Sequence, residues 1–163
     1  MADYTPSGCD HFYSVETALS LELPAGRWRM EGGTVGSVSF VYDPTSEERT
    51  EFAYPPRIDC RLVEIPGSPP DAYRHLAGEL VRAAGAKPTV GVDTKIDSHP
   101  AQVTVVASTI DGFGTVVQQQ ALAQVGEVVL TVVATASETH AERFLPDFER
   151  TVNSIRVISE GAA

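Results

Sequence analysis

Four strand-like segments follow one another between residues 89 and 136, and only short turns separate them. Valine, threonine and alternating polar residues dominate these segments, as is typical of β-strands. The turns fall at residues 98–100, at residues 111–114 and at Gly126. Because connections this short join antiparallel neighbours, the sequence predicts a four-stranded antiparallel meander.

Three more strands are predicted before the meander. Residues 19–23 alternate leucine with small or polar residues, which is the period of a half-buried strand. The second strand is expected at residues 34–42, after a turn at Gly32-Gly33, and the third at residues 57–65. The charged, proline-ended segment 43–56 has no periodicity, and it is predicted to be a long exposed loop.

Two helices complete the predicted elements. Apolar residues at helical spacing between Tyr73 and Ala84 define the first helix, which ends at Gly85. The second covers residues 141–155, where one side is apolar, and a kink or a new start is expected at Pro146.

This order of elements predicts an α+β fold, an antiparallel β-sheet meander with two main helices. A chain of 163 residues buries about 70% of its unfolded surface as one domain. We assign residues 11–158 to a single domain, residues 1–10 to a flexible N-terminal tail and residues 159–163 to a C-terminal tail.

Charge and hydropathy restrict the partners and the location. The net charge of −10 disfavours binding to nucleic acid, because a phosphate backbone would repel the chain. The longest apolar run, residues 128–136, is shorter than the roughly 20 residues of a membrane helix, so no membrane span is expected. Residues 1–12 do not form a secretory signal, so we expect a cytoplasmic protein, secreted or lipid-anchored only if the N-terminus was trimmed.

Two cysteines, Cys9 and Cys60, could form one disulfide across a loop of about 50 residues. Cys60 alternates with Ile58 and Leu62, a position that favours a buried small hydrophobic residue instead. Whether the two cysteines pair stays open at this point.

Three consecutive glutamines interrupt the third strand of the meander. Gln119 shares one strand face with Val117 and Ala121, so the pattern predicts a buried polar side chain. An unpaired buried amide costs roughly 1–3 kcal/mol, and Gln119 therefore needs a partner in the protein or in a ligand.

The other face of this strand gives the candidate partner-binding residues. Amides offer both a donor and an acceptor to a peptide backbone, so an open row could receive another polypeptide; alternatively, the glutamines simply face water. The row consists of Val116, Gln118, Gln120, Leu122 and Gln124.

The strand after the glutamines, residues 128–136, is apolar on both faces. Either both faces are covered, or an apolar groove exists for a ligand or for a partner helix.

Catalytic and metal-binding signatures are missing from the sequence. The four histidines, His11, His75, His99 and His140, have no neighbouring ligands at metal spacing. No serine lies in a nucleophile motif, and no cysteine–histidine pair can be argued. We therefore expect no metal, no cofactor and no enzymatic activity.

Four segments of the chain, LELPAGRW, SHPAQVTVV, VVQQQALAQVGEVVLTVVATA and FLPDFERTVNSIRV, resemble the PsbP-like superfamily and, within it, the bacterial DcrB-like branch. Members of that branch include actinobacterial LpqN-type lipoproteins and Eag-type effector chaperones. The resemblance covers roughly residues 11–158 and implies a PsbP-like α/β sandwich. It also implies a non-enzymatic binding module.

Together, the glutamine row and the resemblance favour a protein-binding adaptor or a chaperone-like accessory protein that uses the sheet face. Its partner is expected to be a protein, for example an apolar segment of a secreted protein, which also contacts the loop 47–56. The alternative is a small-molecule or lipid carrier with an apolar pocket between sheet and helix.

Overall fold

The computed structural model describes residues 9–14, 18–24, 28–43, 55–67, 69–85, 91–112 and 114–158. Within these ranges, two helices and one 3-10 turn (Glu138–His140) accompany the strands, so the structure confirms the α+β fold. The helices are α1 (Ala72–Ala83) and α2 (Ala141–Ser154). The strands are β1 (Cys9–Ser14), β2 (Leu19–Pro24), β3 (Trp28–Thr34), β4 (Ser37–Tyr42), β5 (Arg57–Glu64), β6 (Val92–Ile96), β7 (His99–Ile110), β8 (Gly114–Val125), β9 (Val128–Ser137) and β10 (Arg156–Val157).

The main sheet has seven strands in the order β3-β4-β5-β9-β8-β7-β6, and every pair of neighbours is antiparallel. The predicted meander is confirmed, since β6 to β9 are consecutive both in the chain and in the sheet. A second, three-stranded sheet has the order β1-β2-β10. Strand β6 therefore forms one edge of the main sheet, and β3 forms the other.

Two predicted turns lie elsewhere in the structure. The predicted turn at residues 98–100 is formed by Asp97 and Ser98, whose φ angles of 49° and 65° are those of a tight hairpin turn. Gly32 and Gly33 are not a turn: they pair within β3, beside a register shift, and the chain reverses at Val35-Gly36. A glycine pair suits an irregular strand as well as a turn, so composition alone did not separate the two.

The ends of the domain also differ from the sequence pattern. Strand β1 begins at Cys9, inside the segment assigned to the tail, and it was not predicted because its residues do not alternate. Helix α2 starts at Ala141 and continues through Pro146, so there is no new start at the proline. The carbonyl that loses its hydrogen bond belongs to Glu142, which is exposed and therefore accessible to water.

The two helices cover opposite faces of the main sheet. Helix α2 packs on β2, β8 and β9, where Phe144, Phe148 and Val152 join the main core. Residues of α1 form a second, smaller hydrophobic cluster with Leu122 of β8 and Val129 of β9. Helix α2 therefore covers one face of β9, whereas α1 reaches the other face only at Val129, and Thr131 and Val133 there are half-buried.

Several sequence predictions fall outside the described part of the chain. These are the tails at residues 1–8 and 159–163, the loop residues 44–54 and the side chain of Cys9. Cys60 is a free, buried thiol. Among the residues described, no helix has the length and apolar character needed to cross a membrane.

Candidate functional site

Strand β8 distributes its glutamines over both faces of the sheet. Gln119 lies opposite Ala134 of β9, on the face that α2 covers. Gln118, Gln120 and Gln124 lie on the other face, which carries α1. The predicted alternation of side chains along β8 is therefore confirmed. The residues that surround each face determine the hydrogen bonding of each glutamine.

The predicted partner-binding row is not an open surface. Val116, Leu122, Gln120 and Gln124 are buried, and only Gln118 is half-buried. The expectation of an open face is wrong because α1 packs against Leu122, which the sequence pattern could not show. Binding of a partner by this row stays a prediction, and it would require the covering residues to move.

Gln124 has a structural role beneath α1. Its Oε1 accepts a hydrogen bond of 3.0 Å from the backbone N–H of Tyr73, in the first turn of the helix. Its Nε2 donates to the carbonyl oxygen of Gly126 at 2.7 Å. Asp71, the N-cap residue, makes no capping hydrogen bond with its side chain, so Gln124 satisfies one of the free N–H groups of α1.

Gln118 and Gln120 interact with each other. The Nε2 of Gln120 donates to the Oε1 of Gln118 at 3.1 Å. The Oε1 of Gln120 is buried without a hydrogen-bond partner. This face therefore satisfies most, but not all, of the amide groups in the row.

Gln119 differs from Gln124 in its surroundings. Its side chain is 7% exposed, and its Oε1 is buried without a hydrogen-bond partner. Its neighbours across the sheet, Val105 and Ala134, carry no polar side-chain atoms. The partner that the sequence requires for Gln119 is therefore not supplied by the residues that the structure describes.

Gln119 lines a cleft of about 420 Å³ between α2 and the β6 end of the sheet. Strands β6 and β7 and helix α2 contribute aliphatic side chains to the walls of the cleft, and polar side chains lie between them. The lining consists of Val92, Thr94, Val103, Thr104, Val105, Gln119, Glu149, Val152 and Asn153.

The dimensions of the elements explain why the cleft exists. Seven strands about 4.8 Å apart form a sheet nearly 30 Å wide, whereas one helix covers about 10 Å of it. Helix α2 lies over β8 and β9, so β6 and β7 extend beyond its cover. Val92 is consequently 69% exposed and Val105 is 49% exposed.

The charge of the cleft is negative on the α2 side. Glu149 is exposed at the rim and forms no ion pair with any residue that the structure describes. Arg156, which follows α2, pairs with Asp97 at 3.6 Å instead. Lys95 of β6 points to the opposite face from Val92 and Thr94, because side chains alternate along a strand.

The described residues bring few reactive groups together. They include no cluster of three or more histidine, cysteine or acidic side chains that could hold a metal ion. Burial, and secondarily the charge of Asp59, raises the pKa of the Cys60 thiol to about 12, so this cysteine is protonated at neutral pH. The cleft offers the amides of Gln119 and Asn153, the hydroxyl of Thr94 and the carboxylate of Glu149, a set suited to binding.

Sequence reasoning identified Gln119 but missed the cleft around it. Val103 and Val105 alternate on the same face as Gln119, which is a signal the sequence contains. Val92 and Glu149 had no such signal, because their proximity depends on where α2 crosses the sheet.

This chain resembles known proteins in its fold. No family model matches the sequence, and no curated protein matches it significantly. Among solved structures, LpqN of Mycobacterium tuberculosis, involved in cell envelope biogenesis, is similar with a TM-score of 0.64 and 16% identity over 86% of this chain and 83% of its own.

Three other solved structures are also similar to this chain. The Saccharomyces cerevisiae Ran-binding protein Mog1p matches with a TM-score of 0.58 and 14% identity, over 93% of this chain and 96% of its own. The PsbP protein (CyanoP) of Synechocystis sp. PCC 6803 matches with a TM-score of 0.61 and 13% identity, over 96% of each chain. A Bacteroides thetaiotaomicron protein is matched over only 49% of its own length.

These similarities show that the fold is PsbP-like, as the sequence motifs predicted. Identities of 12–16% carry the fold and not a specific activity. The neighbours are compatible with a binding or accessory module.

Proposed function

We propose that the protein is a non-enzymatic binding module, an adaptor or chaperone-like accessory protein, whose partner is another protein. The contact lies at the cleft beside α2. The observation that carries this proposal is Gln119, a buried amide at the cleft whose Oε1 has no hydrogen-bond partner among the described residues. Such a group costs roughly 1–3 kcal/mol of stability, a cost that a bound partner removes.

The comparisons support a protein as the partner only by analogy. The similar Mog1p is a Ran-binding protein, and its fold is shared with this chain. Membership of the DcrB-like branch, kinship with Eag-type chaperones and a cytoplasmic location belong to the same proposal. Cell fractionation tests the location.

Site-specific photo-crosslinking in the native host tests the proposed surface. A photo-reactive phenylalanine analogue replaces Val92, at the cleft, or Val35, which is 88% exposed at the opposite edge of the sheet. We expect a discrete protein adduct from position 92 and none from position 35. Adducts of equal yield at both positions, or none at position 92, would contradict the proposal.

A small-molecule or lipid carrier is the second candidate function. The cleft volume of about 420 Å³ favours it, because it falls within the range of small-molecule pockets. Native mass spectrometry of the purified protein separates the candidates. A co-purifying mass of a few hundred daltons, lost when Val105 is replaced by Asp, would support the carrier.

A further inference from the structure

We infer that the cleft takes a short extended peptide segment of the partner, two to three residues long, in which aliphatic residues flank a basic one. This inference rests on the proposed function and specifies its ligand. The hydrogen-bonding requirement, the volume and the charge of the cleft each support one part of it.

The hydrogen-bonding requirement comes from Gln119. A carboxamide presents one acceptor oxygen and two N–H donors, which is the same chemistry as a peptide group. The Oε1 of Gln119 is buried and has no partner among the described residues, so a ligand that offers it an N–H removes the cost of the unpaired acceptor. A peptide backbone supplies an N–H next to its own carbonyl, and the amide of Gln119 can bond to both after a small rotation.

The volume limits the bound segment to a few residues. A strand residue rises 3.3 Å and fills about 4.8 Å by 10 Å in cross-section, which is about 160 Å³ per residue, so the cleft of about 420 Å³ has room for two to three extended residues. One turn of α-helix, about 10 Å wide and 5.4 Å long, fills about 420 Å³ as well. Because helices shorter than about 12 residues are not stable on their own, the extended form is expected for a segment this short.

The walls and the rim of the cleft determine which side chains the bound segment carries. Val92, Val103 and Val105 form the aliphatic floor of the cleft. In the free protein, Val92 is 69% exposed and Val105 is 49% exposed. In an extended segment, the first and third side chains point to one side and the second to the other. Aliphatic first and third residues cover the valines, and a basic second residue reaches the carboxylate of Glu149, which pairs with none of the described residues.

Titration with a defined probe tests the inference. The probe is acetyl-Val-Lys-Val-amide, added at millimolar concentration to the isotope-labelled full chain and followed by amide NMR spectra. We expect shifts confined to residues of β6, β7 and the second half of α2. A version with N-methylated backbone amides should lose this binding, because it offers no N–H to Gln119.

Two variants separate the contributions. Gln119→Met keeps the side-chain length and should weaken the probe about tenfold, as loss of a buried hydrogen bond does. Glu149→Gln should weaken it about threefold, as loss of an exposed ion pair does. A probe with norleucine in place of lysine should bind the parent and the Glu149→Gln variant equally.

The outcomes distinguish this inference from the proposed function. Equal binding of the probe by Gln119→Met, shifts mapping outside the cleft, or no binding at all would overturn the peptide segment as the ligand. A protein adduct at position 92 would still leave the proposed function standing in each of those cases. If no adduct formed at position 92 and a small molecule co-purified with the protein, the peptide ligand and the proposed function would both be contradicted.

Discussion

Gln124 and Gln119, two buried glutamines on opposite faces of β8, differ in their hydrogen bonding. On the α1 face, the amide of Gln124 bonds to Tyr73 and Gly126 and thereby anchors a helix. On the α2 face, Gln119 is equally buried, but its Oε1 has no hydrogen-bond partner in the described part of the chain. The difference arises because α1 begins directly over Gln124, whereas α2 leaves a cleft beside Gln119. Gln120, on the α1 face, also has an unpaired Oε1, but its Nε2 bonds to Gln118 and it does not line the cleft. Gln119 combines an unpaired Oε1 with a position at the cleft.

The largest expected effect comes from removing what holds α2 in place. Phe148 is fully buried, with its ring 6.3 Å from that of Trp28, so Phe148→Ala should destabilise the protein by about 3–5 kcal/mol. Urea unfolding measures this. Arg150→Ala, at an exposed position of the same helix, should stay within about 0.5 kcal/mol of the parent.

Replacement of Gln124 should have the next largest effect. Gln124→Met leaves the backbone N–H of Tyr73 without its acceptor, at a cost of about 1–3 kcal/mol. The same unfolding experiment detects this cost. A variant as stable as the parent would show that α1 does not depend on this contact.

Gln119→Met should act in the opposite direction. It removes an unpaired buried oxygen and adds apolar surface, so the free protein should be unchanged or more stable, by up to about 1 kcal/mol. Destabilisation as large as that of Gln124→Met would mean that Gln119 has a structural partner in solution, and the contrast between the two faces would fail.

The smallest effect on stability is expected at the cleft floor. Val105 is half exposed, so Val105→Ser should change the unfolding free energy by less than about 0.5 kcal/mol. The same variant should weaken binding of the valine-containing probe. Unchanged binding would indicate that the valine floor does not contact the ligand.

The sequence predicted the sheet well where the pattern was long and regular. The meander, β2, β4, β5 and both helices follow from alternation or from helical spacing. Strand β1 was missed because its residues do not alternate, and residues 32–33 were misread because glycine occurs in irregular strands and in turns alike. The candidate site was only half predictable, since the burial of Gln119 follows from its own strand, whereas Glu149 approaches it only through the packing of α2.

The hydrogen bonding of the Gln119 side chain in the free protein tests the central claim most directly. Side-chain carbonyl 13C signals of Gln119 and Gln124, assigned with the two Gln→Met variants, report hydrogen bonding to Oε1, because an accepted hydrogen bond shifts the carbonyl signal downfield. The structure predicts a downfield signal for Gln124, whose Oε1 accepts from the backbone N–H of Tyr73, and an upfield signal for Gln119 that moves downfield when the probe binds. Equally downfield signals for both carbonyls before any ligand is added would contradict the account.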